Sequence, residues 1–174
     1  MLLPNLSLVL GGAASGKSAF AESLVLKGSG SPLYIATAQV LDDEMAQKVA
    51  RHQKTRGRAW VTIEEPIDIP RALVQAKKGQ PVLIDCATLW LTNLMLGEHD
   101  LAAWRDALIT ALTGSNGPVV IVSNEVGQGV VPDNALARKF RNAQGELNQT
   151  LAASADLVVA VMAGLPLALK GHLP

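Results

Sequence analysis

The sequence predicts an α/β fold: a three-layer sandwich with a mostly parallel central sheet and helices on both faces. Three observations carry this. Short apolar runs bounded by turn residues alternate along the chain with stretches of helical periodicity, the order of linked βα units. Hydrophobic residues make up 49% of the 174 residues and aromatics only 3%, so the core is built from Ala, Leu, Val and Ile, as where helices pack on a parallel sheet. The connectors "KGSGS", "AKKGQ" and "TGSNG" are short and glycine-bearing, which leaves no interdomain linker and predicts a single domain over residues 1–174.

In chain order, Leu6–Leu10 reads as the first strand, followed by a glycine-rich loop and a helix over Ser18–Leu26. The opening "MLLPNLSLVL" has no basic flank and is interrupted by Pro4 and Asn5, so it reads as that strand and not as a signal peptide. A strand at Pro32–Ala36 precedes a helix over Asp42–Thr55 that starts acidic and ends basic, the polarity the helix dipole favours. Strand Trp60–Ile63, helix Ile69–Lys77 and strand Pro81–Asp85 come next, then helix Leu101–Leu112 and strand Val119–Ser123. The segment Asn124–Asn134, "NEVGQGVVPDN", is the longest polar connector, and it lies between a strand and a helix, where sites in open α/β sheets gather. Helix Asn134–Ser154 and strand Asp156–Met162 complete the series.

Lys+Arg 15 balance Asp+Glu 15, so no basic footprint for nucleic acid exists and any anion site is local. No apolar run reaches the roughly 18 residues of a membrane span, and "ADLVVAVMAGLPLAL" is broken by Gly164 and Pro166. The single cysteine, Cys86, has no internal disulfide partner, which fits a reducing compartment. The expectation is a cytoplasmic protein without stable membrane insertion.

Gly11, Gly12, Ala13, Ala14, Ser15, Gly16, Lys17 and Ser18 fit the phosphate-loop pattern G-x-x-x-x-G-K-[ST], with a strand before and a helix after. The residue types suit the chemistry. Glycines let backbone N–H groups wrap phosphate oxygens, Lys17 neutralises β and γ charge, and Ser18 offers a hydroxyl to Mg²⁺. The helix N-terminus adds its positive end. A carboxylate at the end of a neighbouring strand is expected as the second metal ligand, and Asp85 ends "PVLID"; capping the next helix is its other reading, and the two are compatible. Three scattered histidines and one cysteine give no further metal-ligand spacing.

Leu41, Met45, Val49 and His52 recur at spacings of four, four and three, so His52 continues an apolar stripe facing the protein body. A hydrogen-bonded histidine at the core edge is one reading. The other follows from its company: Arg51, Lys54, Arg56 and Arg58 crowd the helix end, and a histidine among phosphate-binding cations is suited to attack phosphorus and form a phosphoramidate. Attack requires the neutral imidazole, which neighbouring cations favour.

With the blocks "GGAASGKSAFAE", "YIATAQVLDDEM", "RHQKTRGRAWVTIEEP", "LIDCATLWLTNL", "VSNEVGQGVVPDNALARKFRNAQGELNQTLAA" and "ADLVVAVMAGLPLALK" in that order, nearly the whole chain resembles the bifunctional adenosylcobinamide kinase and adenosylcobinamide-phosphate guanylyltransferase family of cobalamin biosynthesis. The resemblance implies a P-loop NTPase-like, RecA-like fold. It implies phosphorylation of adenosylcobinamide by ATP or GTP, then transfer of GMP from GTP to that phosphate through a GMP-histidine intermediate, with release of pyrophosphate. His52, eight positions before Trp60, matches the family nucleophile.

By the same resemblance Gly11–Ser18 hold the nucleotide phosphates, while Ala36, Thr37, Ala38, Gln53, Lys54, Thr55, Arg56, Glu64 and Asp85 contact the nucleotide. Ser18 and Asp85 are the expected Mg²⁺ ligands. A homo-oligomer is implied, with the corrin bound near subunit boundaries. Two positions depart from the family pattern: Ala14, where a larger and often basic residue is common, and Gln128, where an aromatic is common.

For the kinase step a carboxylate must orient the acceptor hydroxyl or take its proton, and Glu125 in "SNEVG" is the candidate; anchoring its own loop is the plain reading. Arg138, Lys139, Arg141 and the run "QGELNQ" read as a solvated helix face or as one meeting a corrin, a phosphate or another subunit. Two other functions remain open on the residues: a phosphate-loop kinase for another small alcohol, and a nucleotide-dependent switch module.

Overall fold

The computed structural model describes residues 3–39 and 60–174. In chain order these form β1 (Leu6–Gly11), α1 (Lys17–Val25), β2 (Leu33–Ala36), β3 (Val61–Glu64), α2 (Ile69–Leu73), β4 (Val82–Asp85), α3 (Ala87–Leu96), α4 (Leu101–Thr113), β5 (Val119–Asn124), α5 (Ala135–Ser154), β6 (Leu157–Met162) and β7 (Leu165–Lys170). The seven strands make one sheet in the order β3-β2-β4-β5-β1-β6-β7. All neighbours run parallel except β6 and β7.

The layers follow from the strand period. Leu8, Ile35, Ile84, Ile121 and Val158 pack with α2 to α5 on one face; Val9, Tyr34, Leu83, Val120, Val122 and Val159 pack with α1 on the other. Strands covered on both faces must be apolar at successive positions, which is why β4 and β5 begin as unbroken Leu, Val and Ile runs and the run of β1 is interrupted only by the buried Ser7. Edge strand β3 is mostly exposed.

Four of the described helices begin on a side chain that accepts a backbone N–H. Asp68 accepts from Arg71, Cys86 Sγ from Leu89, Asp100 from Ala102 and Ala103, and Asn134 from Ala137. The aspartate and asparagine caps contribute about 1 kcal/mol each. Helix α1 has none: Gly16 stands at its N-cap with φ 92° and no side-chain bond, so its first N–H groups keep the capacity to bind an anion.

Three elements differ from expectation. Helix α3 is missing from the periodic stretches and was anticipated only as the helix that Asp85 would cap, because "ATLWLTNLML" is apolar nearly all round; Trp90, Leu91 and Leu94 are buried in the core, and such a helix shows no amphipathic period. The apolar tail beyond Met162 folds back as β7: Ala163 and Gly164, at φ 52° and 78°, make the two-residue turn of a tight hairpin, and Pro166 is tolerated on an edge strand. The helix expected over Ile69–Lys77 stops at Leu73, after which Gln75 and Ala76 bond to carbonyls three residues back. The helix expected over Asp42–Thr55 falls outside the described residues.

Candidate functional site

The phosphate loop runs from the end of β1 into α1 at the carboxyl edge of the sheet, where ligands of open α/β sheets bind. It is held from behind by the β6–β7 turn. Gly164 N–H donates to the Ser15 carbonyl at 2.8 Å and Glu125 N–H to the Gly11 carbonyl at 3.1 Å. Lys17 turns back over the loop, its Nζ donating to the Gly12 carbonyl at 3.1 Å.

Gly16 combines a left-handed φ of 92° with close approach to the turn: a Cβ there would meet Gly164 Cα at 3.1 Å. Any side chain therefore strains the backbone and pushes the loop off its support. Gly16→Ala should lower the thermal midpoint and weaken nucleotide binding at least tenfold, measured by calorimetric titration with GTP. Ala14 also holds a positive φ of 55° and is exposed; its presence in place of a larger residue has no explanation in the structure. Ser15 Oγ is buried without a hydrogen-bond partner.

Strand register gathers several of the expected site residues along the same edge. Ala36 on β2 pairs with Glu64 on β3 and with Asp85 on β4, while Gly11 pairs with Asn124 on β5. Glu64 is exposed, Ala36 and Ala38 half-buried. Asp85 is half-buried and its Oδ2 accepts from the Tyr34 hydroxyl at 3.1 Å, so a buried donor fixes the carboxylate at the strand end. The cap of the following helix is Cys86, not Asp85, which removes the capping role from the aspartate. Thr37 is fully buried, and its hydroxyl braces the next residue along: it accepts from Cys86 N–H at 2.7 Å and donates to the Cys86 carbonyl at 2.8 Å. Ser18 sits half-buried in the first turn of α1. His52, Gln53, Lys54, Thr55 and Arg56 lie outside the described residues.

A hydroxyl and a carboxylate are hard oxygen donors that suit Mg²⁺, which takes few protein ligands and completes its shell with phosphates and water. Ser18 and Asp85 fit that requirement. Among the described residues no group of three or more His, Cys, Asp or Glu is placed to hold a metal.

Burial pushes the Cys86 thiol up from 9.0 to about 11, and the neighbouring Asp85 charge adds to the shift, while Lys17 opposes it. The thiol is thus protonated and inert at neutral pH. Iodoacetamide at pH 7.5 should leave the folded protein unlabelled and modify it only on unfolding, as read by mass spectrometry. The sign of the pH dependence follows: the unfolded thiol ionises near 9 and the folded one near 11. Stability owed to this group therefore falls as pH rises across that window, by roughly 3 kcal/mol in all.

The loop after β5 carries Glu125, whose Oε1 accepts from Gly127 N–H at 2.7 Å. Arg138 closes the far end of the loop by donating to the Pro132 and Asp133 carbonyls. Two residues of the run "QGELNQ" correct the expectation of a solvated or partner-facing surface. Gln144 and Asn148 are buried and bond to Ser123 on β5; their spacing of four, matching Leu147 and Leu151 on the same face, was the signal that could have placed them inside.

A family model described as cobinamide kinase / cobinamide phosphate guanyltransferase matches residues 7–169. The chain is 43% identical over 168 residues to the bifunctional adenosylcobalamin biosynthesis protein CobP of Pseudomonas aeruginosa, covering 95% of this chain and 97% of that one. It is 41% identical over 182 residues to the bifunctional adenosylcobalamin biosynthesis protein CobU of Salmonella typhimurium, covering 94% and 98%. Among solved structures, the flagellar accessory protein FlaH from Methanocaldococcus jannaschii aligns with a TM-score of 0.54 at 13% identity, over 98% of this chain and 80% of that one, a likeness of fold alone. The fold is that of the RecA-like P-loop NTPases, and no described helix is long and apolar enough to cross a membrane. The chain belongs to the cobinamide kinase / cobinamide phosphate guanyltransferase family, bifunctional kinase and guanylyltransferase enzymes of adenosylcobalamin biosynthesis.

Proposed function

We propose that this chain, acting as one domain over residues 1–174, catalyses both reactions at the carboxyl edge of its sheet. It first phosphorylates adenosylcobinamide with ATP or GTP and then guanylylates the product through His52. The observation that carries the reading is the uncapped N-terminus of α1 beneath a phosphate loop whose lysine lies over it, inside a family match spanning nearly the whole chain.

In the kinase step the aminopropanol oxygen of adenosylcobinamide attacks the γ-phosphorus, the bond to the bridging oxygen breaks, and the nucleoside diphosphate leaves. Lys17 and the loop N–H groups stabilise charge on the transferring and departing oxygens. Glu125 orients the hydroxyl and takes its proton. In the guanylyl step the neutral His52 nitrogen attacks the α-phosphorus of GTP and pyrophosphate leaves against the loop. A phosphate oxygen of adenosylcobinamide phosphate then attacks the same phosphorus, the P–N bond breaks, and adenosylcobinamide-GDP is released. Thr37, Ala36, Ala38, Glu64 and Gln53–Arg56 border the nucleotide. Ser18 and Asp85 would hold Mg²⁺, which supplies neutralisation of phosphate charge when bound.

Val130, Val131 and Leu136 are exposed on the loop that carries Glu125 and at the start of α5, an apolar surface that supports binding of a broad macrocycle beside the acceptor hydroxyl. Met162, Leu165, Leu167 and Leu169 are exposed at the β6–β7 edge, with Met162 paired to Leu165; this stripe supports a homo-oligomer, which sedimentation equilibrium tests, a monomer at micromolar concentration counting against it. Incubation with adenosylcobinamide, GTP and Mg²⁺ should give adenosylcobinamide phosphate, then adenosylcobinamide-GDP with stoichiometric pyrophosphate. Formation of neither product by folded protein contradicts the reading.

A further inference from the structure

A polar cluster sits where apolar packing would serve the core equally well. Ser123 and Gln144 are fully buried and Asn148 is 6% exposed. Gln144 Nε2 donates to Ser123 Oγ and to Asn148 Oδ1, each at 2.9 Å, and Ser123 Oγ donates to Asn148 Oδ1 at 2.6 Å. Two donors on Oδ1 fix the orientation of the Asn148 amide, and its Nδ2 then donates to the Asn124 carbonyl at 3.1 Å. From the other side, the Asn124 N–H donates to Thr88 Oγ1, at the start of α3, at 2.8 Å.

Asn124 is thus gripped at both its N–H and its carbonyl by side chains from two helices. The next N–H, of Glu125, is held by the Gly11 carbonyl, and the Glu125 carboxylate is turned by Gly127 N–H. Once the backbone at Asn124 is set, the carboxylate is set with it. Burying polar groups this way is costly unless they are bonded; in this cluster Gln144 Oε1 and Asn124 Oδ1 are buried without a partner, while the bonds that are made specify one geometry.

We infer that Thr88 and Asn148, with Gln144 and Ser123 fixing Asn148, are positioning residues for phosphoryl transfer that hold Glu125 against the acceptor hydroxyl. The inference rests on the role given to Glu125 above. It assigns the clamp to one of the two reactions only. The phosphate loop meets the clamp only where the Glu125 N–H donates to the Gly11 carbonyl at its first residue; its turn is held separately by Gly164 N–H on the Ser15 carbonyl and by the Phe20 N–H on the Gly16 carbonyl, and guanylyl transfer uses no carboxylate base at the acceptor.

The test uses the full chain and four variants. Thr88→Val removes the hydroxyl at constant shape, Thr88→Ser keeps it, Asn148→Leu removes the amide, and Glu125→Gln removes the carboxylate charge. Phosphorylation of adenosylcobinamide, guanylyl transfer to preformed adenosylcobinamide phosphate, and thermal midpoints are measured for each. Displacement of a catalytic group by about 1 Å costs up to roughly 100-fold, so Thr88→Val and Asn148→Leu should lose about 10- to 100-fold in kinase kcat, with a smaller change in KM for the corrinoid. Guanylyl transfer should stay near the parent value, and Thr88→Ser should recover the kinase. Equal loss of both activities in step with the thermal midpoint, or no kinase loss in the clamp variants while Glu125→Gln is impaired, overturns the inference and leaves the role of Glu125 standing. A Glu125→Gln protein with unimpaired kinase overturns both.

Discussion

Lys17→Ala should lose phosphorylation of adenosylcobinamide and guanylyl transfer together, each by about 10²–10³-fold in kcat, the scale of removing one donor from developing charge. The ammonium lies over the loop on the Gly12 carbonyl, so its removal takes away charge and leaves the fold; the core beneath α1 is formed by Ala21, Leu24 and Val25. In the proposed mechanism both reactions place triphosphate charge at the same helix N-terminus, the γ-phosphate in one and the departing pyrophosphate in the other. One lysine therefore serves a transferred group in one reaction and a leaving group in the other. Steady-state assays of each half reaction, with an unchanged thermal midpoint, check this. Loss of a single activity would mean that the two reactions use separate phosphate sites.

His52→Ala should separate what Lys17→Ala joins. Removing a covalent nucleophile eliminates the two-step route, so guanylyl transfer should fall by at least about 10³-fold, while phosphorylation of adenosylcobinamide continues because no step of it passes through a histidine. The GTP-binding residues proposed above, Lys54, Arg56 and the phosphate loop, are unaltered in this variant, so nucleotide affinity should stay within an order of magnitude. The measurement is the product ratio with both substrates present: adenosylcobinamide phosphate accumulates and no pyrophosphate appears. Loss of both activities in a folded variant would recast His52 as a binding residue.

The sheet and its order of strands and helices were legible because a parallel sheet covered on both faces must use short continuous apolar runs, and Leu6–Leu10, Pro81–Asp85 and Val119–Ser123 do so. The phosphate loop was legible because its backbone geometry demands glycine at Gly16. Helix α3 was not, since burial on nearly every side erases the period that marks a helix. Strand β7 was hidden by Gly164 and Pro166, which read as breakers and are in fact a hairpin turn and an edge residue. The inward face of α5 was misread for a related reason: Gln144 and Asn148 are polar by type but lie on the buried stripe with Leu147 and Leu151. Amide side chains enter a core only when partners await them, and Ser123 and the Asn124 carbonyl supply those from a strand 20 or more residues away in sequence, a pairing that local pattern does not encode.

The central claim is that GMP passes through a bond to His52, and it is tested most directly by incubating the protein with GTP labelled on the α-phosphate, without corrinoid acceptor, and isolating the denatured chain. The account predicts one label per active site, stable to alkali and released by acid as a phosphoramidate is, located by mass spectrometry on His52, absent from His52→Ala, and discharged when adenosylcobinamide phosphate is added before denaturation. Full guanylyl transfer by a protein that never carries the label, or a label that survives in His52→Ala, would contradict it.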